Sequence, residues 1–70
     1  MRDLRHIILL RDELEALKLC DQEGLCQAEA GERMGVSRGT VQRILASARS
    51  KVAEALVEGA ALVMKDAKDG

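Results

Sequence analysis

Three groups of side chains have the types and spacing to do chemistry. The first is Cys20, Cys26 and His6, soft ligands from which a metal site or a redox pair could be built. Five residues separate the cysteines, a spacing that fits no common zinc motif, and only His6 could join them. Free, partly buried thiols in a reducing cytosol are the expected reading, with no metal and no cofactor. The second group is Asp12, Glu13 and Glu15. Carboxylates so close can run acid–base chemistry, but no nucleophile, metal ligand or phosphate loop accompanies them. A solvated acidic helix face is expected, and no enzyme. The third group is Arg38, Gln42 and Arg43, preceded by Ser37 and interleaved with Gly39 and Thr40. Arginine can fork onto guanine O6 and N7, and glutamine onto adenine N6 and N7. This group reads as a DNA contact.

Residues 27–44, QAEAGERMGVSRGTVQRI, supply the frame that would aim it. Ala28, Ala30, Gly31 and Met34 recur at helical spacing. Gly35 then falls where a helix stops, because glycine enters the left-handed region without a Cβ clash. Val36 is an apolar plug. Ser37 is an N-cap whose hydroxyl can accept the N–H of Gly39 or Thr40. From Arg38 the periodicity resumes, with Val41, Ile44, Leu45, Ala48, Val52, Ala55 and Leu56 in one arc of roughly 120°. The opposite pole holds Gly39, Gln42, Arg43, Ala46, Ser47 and Ser50. Helix, glycine-centred turn and capped second helix form the layout of a helix-turn-helix. On it, Arg38, Gln42 and Arg43 are the expected base readers, and Gly39 allows close approach. Ser37, Thr40, Arg33, Arg49 and Lys51 are expected on phosphate oxygens, which position the protein without specifying sequence.

Gln27, Gly31, Gly35, Val36, Val41 and Ile44 have a spacing that resembles the helix-turn-helix of repressors and of region four of bacterial sigma factors. A small residue at Gly31 lets the two helices approach closely, while Val36, Val41 and Ile44 fill the angle between them. The usual residue there in that motif is alanine, and glycine should cost roughly 1 kcal/mol of helix propensity. Across residues 10–59 the chain resembles a family of small predicted DNA-binding proteins of bacteria and archaea, most specifically in the strings DELEALKL, MGVSR and AR-K-A-ALVEG. The resemblance implies a helical, sigma-region-four-like domain that binds DNA. Its relatives carry further chain before this block and a small polar residue where Leu10 stands. It also implies a second function of a different class, a protein-interaction module docking on RNA polymerase or on a regulator.

Composition bounds these readings. Seventy residues make one small domain, and with no Phe, Tyr, Trp or Pro its core must be Leu, Ile, Val, Ala and Met. An all-α fold is therefore expected, a small helical domain with a long C-terminal recognition helix and short extended termini at most. Net charge is −1, yet the charge is polarised. Residues 12–32 hold seven acidic side chains and one basic, whereas residues 33–53 hold five basic and no acidic. The local field, and not the total, binds phosphate. The rival reading pairs that basic run with the acidic helix inside the monomer. No apolar run approaches the ~20 residues that span a membrane, so a cytoplasmic protein without membrane contact is expected.

The remaining chain divides into an arm (1–10), the helix-turn-helix domain (11–59) and a tail (60–70). Ile7 to Leu10 read as a short strand or an opening helical turn. Residues 11–21 read as a helix with Leu10, Leu14, Leu17, Ala16 and Cys20 on its apolar face. Asp21 to Gly24 break that helix, and Leu25 anchors the turn. Gly59 ends the long helix before an apolar stretch, residues 60–64. That stretch either folds onto the first helix or pairs with Ile7–Leu10 of the same or a second chain. A homodimer is attractive because two-fold dimers read paired half-sites about one helical turn apart.

Overall fold

The computed structural model describes residues 5–65. Strand β1 (His6–Leu10) leads into helix α1 (Arg11–Ala16), which continues as a π-helical segment over Leu17–Gln22. Helix α2 (Gln27–Met34), the long helix α3 (Arg38–Glu58) and strand β2 (Ala61–Lys65) follow. Met1 to Leu4 of the arm, and the charged tail after Lys65, lie outside the described residues.

The expectation of an all-α fold is overturned. β1 and β2 form a two-stranded parallel sheet, with Ile7 beside Leu62, Ile8 beside Val63 and Leu9 beside Met64, so the domain is mixed. The cause lies at Gly59. Its φ of 69° ends α3 in the left-handed region and turns the chain back, so the apolar residues after it meet the apolar residues before α1. Ile7, Ile8 and Val63 are β-branched and suit a pleated surface better than a helix. Arg5 and Glu58 form an ion pair across the same junction.

A core without rings has to be filled by close approach. Ala16, Ala30 and Ala48 are fully buried, which lets the helices come together over Leu19, Val41 and Leu45. Leu25, Cys20 and Met34 pack against the Leu19–Ala30–Val41 cluster, so Leu25 does anchor the turn after α1. On α3 the buried positions are Val41, Leu45, Ala48 and Ala55, whereas Leu56, expected on the same face, is 78% exposed.

The face of α1 is not the one its leucines suggest. Leu10 and Leu14 remain exposed, and the buried line runs through Leu9, Glu13, Ala16 and Leu19. Glu13, expected on a solvated acidic face, is instead enclosed. Its Oε1 accepts the Leu10 N–H at 2.9 Å and Lys51 Nζ at 2.7 Å, and its Oε2 accepts the Ser47 hydroxyl at 2.6 Å. Leu10 has no side-chain acceptor, so only the return half of a capping box closes the start of α1. Lys51 Nζ also donates to the Ile8 carbonyl at 2.8 Å. One ion pair therefore ties α1, α3 and β1 together.

Burial alone pushes the Glu13 carboxyl up, but hydrogen bonds from Lys51, Ser47 and Leu10, with the Lys51 charge, outweigh it. The net position is below the ordinary glutamate value. A carboxylate held low in the folded state adds stability that is complete above its unfolded pKa, about 4.3, and is lost as pH falls through the lower folded value. Urea denaturation should thus show the protein weakening on acidification from pH 7 to pH 3. Glu13→Gln should be less stable at pH 7 by about 2 kcal/mol and should lose less on acidification. An unchanged acid loss in the variant would remove Glu13 from this explanation.

Candidate nucleic-acid interface

The turn between α2 and α3 is built by two glycines with different tasks. Gly35 takes φ 75° and ends α2, and both its N–H and that of Val36 turn back to the Gly31 carbonyl. Gly31 itself is buried, and a Cβ there would stand 2.6 Å from the Val36 carbonyl oxygen. Backbone, not a movable side chain, is the obstacle. The propensity that glycine costs α2 is thus the condition for the close approach of the turn. Val36, expected as a plug, is 37% exposed, and the angle between the helices is filled by Ala30 and Val41.

Ser37 starts α3 from an extended conformation, and its Oγ accepts the Thr40 N–H at 3.1 Å. The same hydroxyl donates to Thr40 Oγ1 at 3.0 Å, and Arg43 Nη2 donates to that oxygen at 3.4 Å. Arg38, Gly39, Gln42 and Arg43 are all exposed on the first two turns of α3. The guanidinium groups of Arg33 and Arg38 have no hydrogen bond or ion pair among the described residues. Arg33 closes α2, where it shares a shallow cleft with Leu25, Glu29 and Glu32.

The other two expected phosphate contacts are drawn elsewhere. Arg49 grips Asp21 through both prongs, Nε to Oδ2 at 3.1 Å and Nη2 to Oδ1 at 2.6 Å. That bond holds the Asp21 carboxyl below its ordinary range and pushes the Arg49 pKa up. Both side chains are well exposed, so solvent screens the pair and it adds little to stability. Lys51 is committed to Glu13. Seven of the nine expected contact residues therefore flank the turn and the start of α3, while Arg49 and Lys51 are directed to α1 and its extension. Ser47 belongs with the second group. The signal for it was the i, i+4 spacing of Ser47 and Lys51, which puts a hydroxyl and an ammonium on one helix face.

The two thiols differ in setting. Cys20 is half-buried, and burial followed by the Asp21 charge pushes its pKa up, whereas Cys26 is exposed at the start of α2. Among the described residues no three His, Cys, Asp or Glu side chains are placed to hold one ion. Nor is any helix there long and apolar enough to cross a membrane.

In class the described residues form a three-helix domain with a tight glycine turn before the longest helix, closed by a small parallel sheet. The chain belongs to the family described as "Protein of unknown function DUF134", whose model it matches over residues 2–69. It is 62% identical over 58 residues to a UPF0251 protein of Pyrococcus furiosus, covering 83% of this chain and 54% of that one. A UPF0251 protein of Thermococcus kodakarensis is 62% identical over 58 residues, covering 83% and 51%. One of Moorella thermoacetica is 55% identical over 62 residues, covering 89% and 42%. Relatives thus occur in archaea and bacteria, and the chain spans about half the length, or less, of the curated relatives it matches. No solved structure matches it.

The Gly31 contact sets propensity against sterics. Gly31→Ala should gain about 1 kcal/mol of helix propensity, yet overpacking costs typically about 1–3 kcal/mol. The expected net result is a lower melting temperature, measured by circular dichroism. A rise would show that the turn can move away from α2.

Proposed function

We propose that this chain is a DNA-binding module, acting without catalysis in transcriptional regulation in the cytoplasm, that lays the first half of α3 in the major groove through a helix-turn-helix. The observation that supports it is the division of cations along α3. Arg49 and Lys51 are neutralised by carboxylates of the same chain, whereas Arg38 and Arg43, on the exposed start of the helix, face no carboxylate partner among the described residues. A major groove about 12 Å wide admits a helix in that orientation. Gln42 and Arg43 offer paired donors and acceptors to base edges, with Arg38 as a third reader. Among the described residues nothing lies within 4 Å of a Cβ placed on Gly39, so none of them requires glycine there. A bare backbone at that point suits close contact with DNA.

On this reading the electrostatic contribution is modest. On a random-sequence duplex Arg38 and Arg43 find no matched bases and fall on phosphates. They and Arg33 can neutralise three phosphates at most, so the slope of log K against log salt should be no steeper than about −3 for one bound protomer. Fluorescence anisotropy with a random-sequence duplex at several salt concentrations measures this directly. Arg38→Ala/Arg43→Ala should weaken binding at least tenfold and flatten the slope by about 2, whereas Arg49→Ala should leave both nearly unchanged. Absence of binding at low salt would instead favour docking on RNA polymerase or a regulator through the exposed carboxylates Asp12 and Glu15.

A further inference from the structure

The two strands differ in what meets their outer edges. Ala61 N–H donates to the Arg5 carbonyl at 3.0 Å, so the backbone groups of Ala61 and Val63 point to β1 and those of Leu62 and Met64 point away. By the same alternation, Ile8 and Leu10 point away from β2. On that side Lys51 Nζ fills the Ile8 carbonyl and Glu13 Oε1 takes the Leu10 N–H, so the ion pair stands where a neighbouring strand would be. The outer edge of β1 is closed from within the chain. Among the described residues nothing closes the outer edge of β2. Among the described residues, no hydrogen bond beyond the ladder reaches the backbone of Leu62 or Met64. All five residues of β2 are exposed, and Leu62, Val63 and Met64 are each exposed by about two-fifths (42%, 38% and 44%). Val57, near the end of α3, is 85% exposed.

Such a strand is out of place alone. Parallel sheets are as a rule covered on both faces, and two strands are marginal in water. An apolar edge carrying one lysine and no proline is a pairing site.

We propose that the open edge of β2 pairs antiparallel with β2 of a second copy of this chain, about a two-fold axis, giving a four-stranded sheet in the order β1-β2-β2-β1. The second copy is the fitting occupant because ALVMK is complementary to itself. With the axis at Val63, Leu62 stands opposite the partner's Met64, and Met64 opposite the partner's Leu62. Those are the residues whose N–H and C=O point outward, so both pairs are of the hydrogen-bonded kind. Val63 meets the partner's Val63 as the close, non-hydrogen-bonded pair. Lys65 falls beside the partner's Ala61, which keeps the two lysines about 13 Å apart at 3.3 Å per residue, and no like charges are opposed. The inference does not rest on the DNA reading.

Sedimentation equilibrium of the full chain at tens of micromolar tests it, with two variants that probe the edge itself. Met64→Pro removes an outward N–H and leaves the ladder to β1 intact. Val63→Cys places a thiol on each side of the axis, in the close pair. The expected results are a two-chain mass for the protein, a one-chain mass for M64P with helical circular dichroism retained, and a 63–63 disulfide in V63C, mapped by mass spectrometry after mild oxidation. A one-chain mass for the unaltered protein would overturn the proposal, as it would if the edge were reserved for another strand. So would a dimer in which V63C fails to cross-link. If M64P loses its helical signal, the V63C link decides alone.

Discussion

A carboxylate enclosed at Glu13 has to find donors within the chain, and most of the architecture follows from where it finds them. Ser47 and Lys51 come from α3 and the Leu10 N–H from the junction of β1 with α1, so one side chain holds three elements to one another. An enclosed charge of this kind is costly to leave unpaired and specific in what it accepts. It sets how α1 lies across α3, and with that the register of the small alanine contacts beneath. It also explains why the leucines of α1 do not face inward as a simple stripe. Turning the helix to bury Leu14 would carry Glu13 away from its three donors.

The same pairing sorts the charges of α3. Read as a linear run, Arg33 to Lys51 is a uniformly basic segment facing an acidic helix. In the folded chain it is two segments. The distal one answers Glu13 and Asp21 and is structural. The proximal one, from Arg38 to Arg43, is left to whatever approaches from outside, and the exposed polar pole of the helix lies in the same place. Internal pairing, one of two rival readings of the basic run, accounts for its distal part, and the proposed external contact would use the proximal part. A chain with a net charge of −1 can in this way keep a local positive field where a long helix begins.

What the sequence made legible was local. Gly35, Ser37 and Gly59 are stop, cap and stop, each acting within a turn of its own position, and α2 ends and α3 begins and ends where those residues say. The parallel sheet was not legible in the same way. Its strands are five residues each and lie more than fifty residues apart in the chain, too short for periodicity to separate a strand from a helical turn. Composition pointed to helix because Leu and Ala are abundant and aromatic residues and proline are absent, and it could not register where Ile7, Ile8 and Val63 lie. That a small residue at Gly31 lets the helices approach closely was legible from the motif, but the need for glycine in place of alanine was hidden for a related reason. Its cost to the helix is a property of one residue, whereas the contact that requires it involves a carbonyl five positions on. The partners of Glu13, Asp21, Arg49 and Lys51 depend on the crossing of α1 and α3, which no single segment encodes.

The most direct test of this division of labour is a titration of the 15N-labelled protein with duplex DNA, followed by amide chemical shifts. The expected result is perturbation concentrated from Gly35 to Ile44, with Arg33 at its margin, while Asp21, Arg49, Lys51 and the amides around Glu13 stay in place. Shifts centred on the Glu13–Lys51 side, or no shifts at all in low salt, would contradict it. The surface that contacts nucleic acid would then not be the one the internal ion pairs leave free.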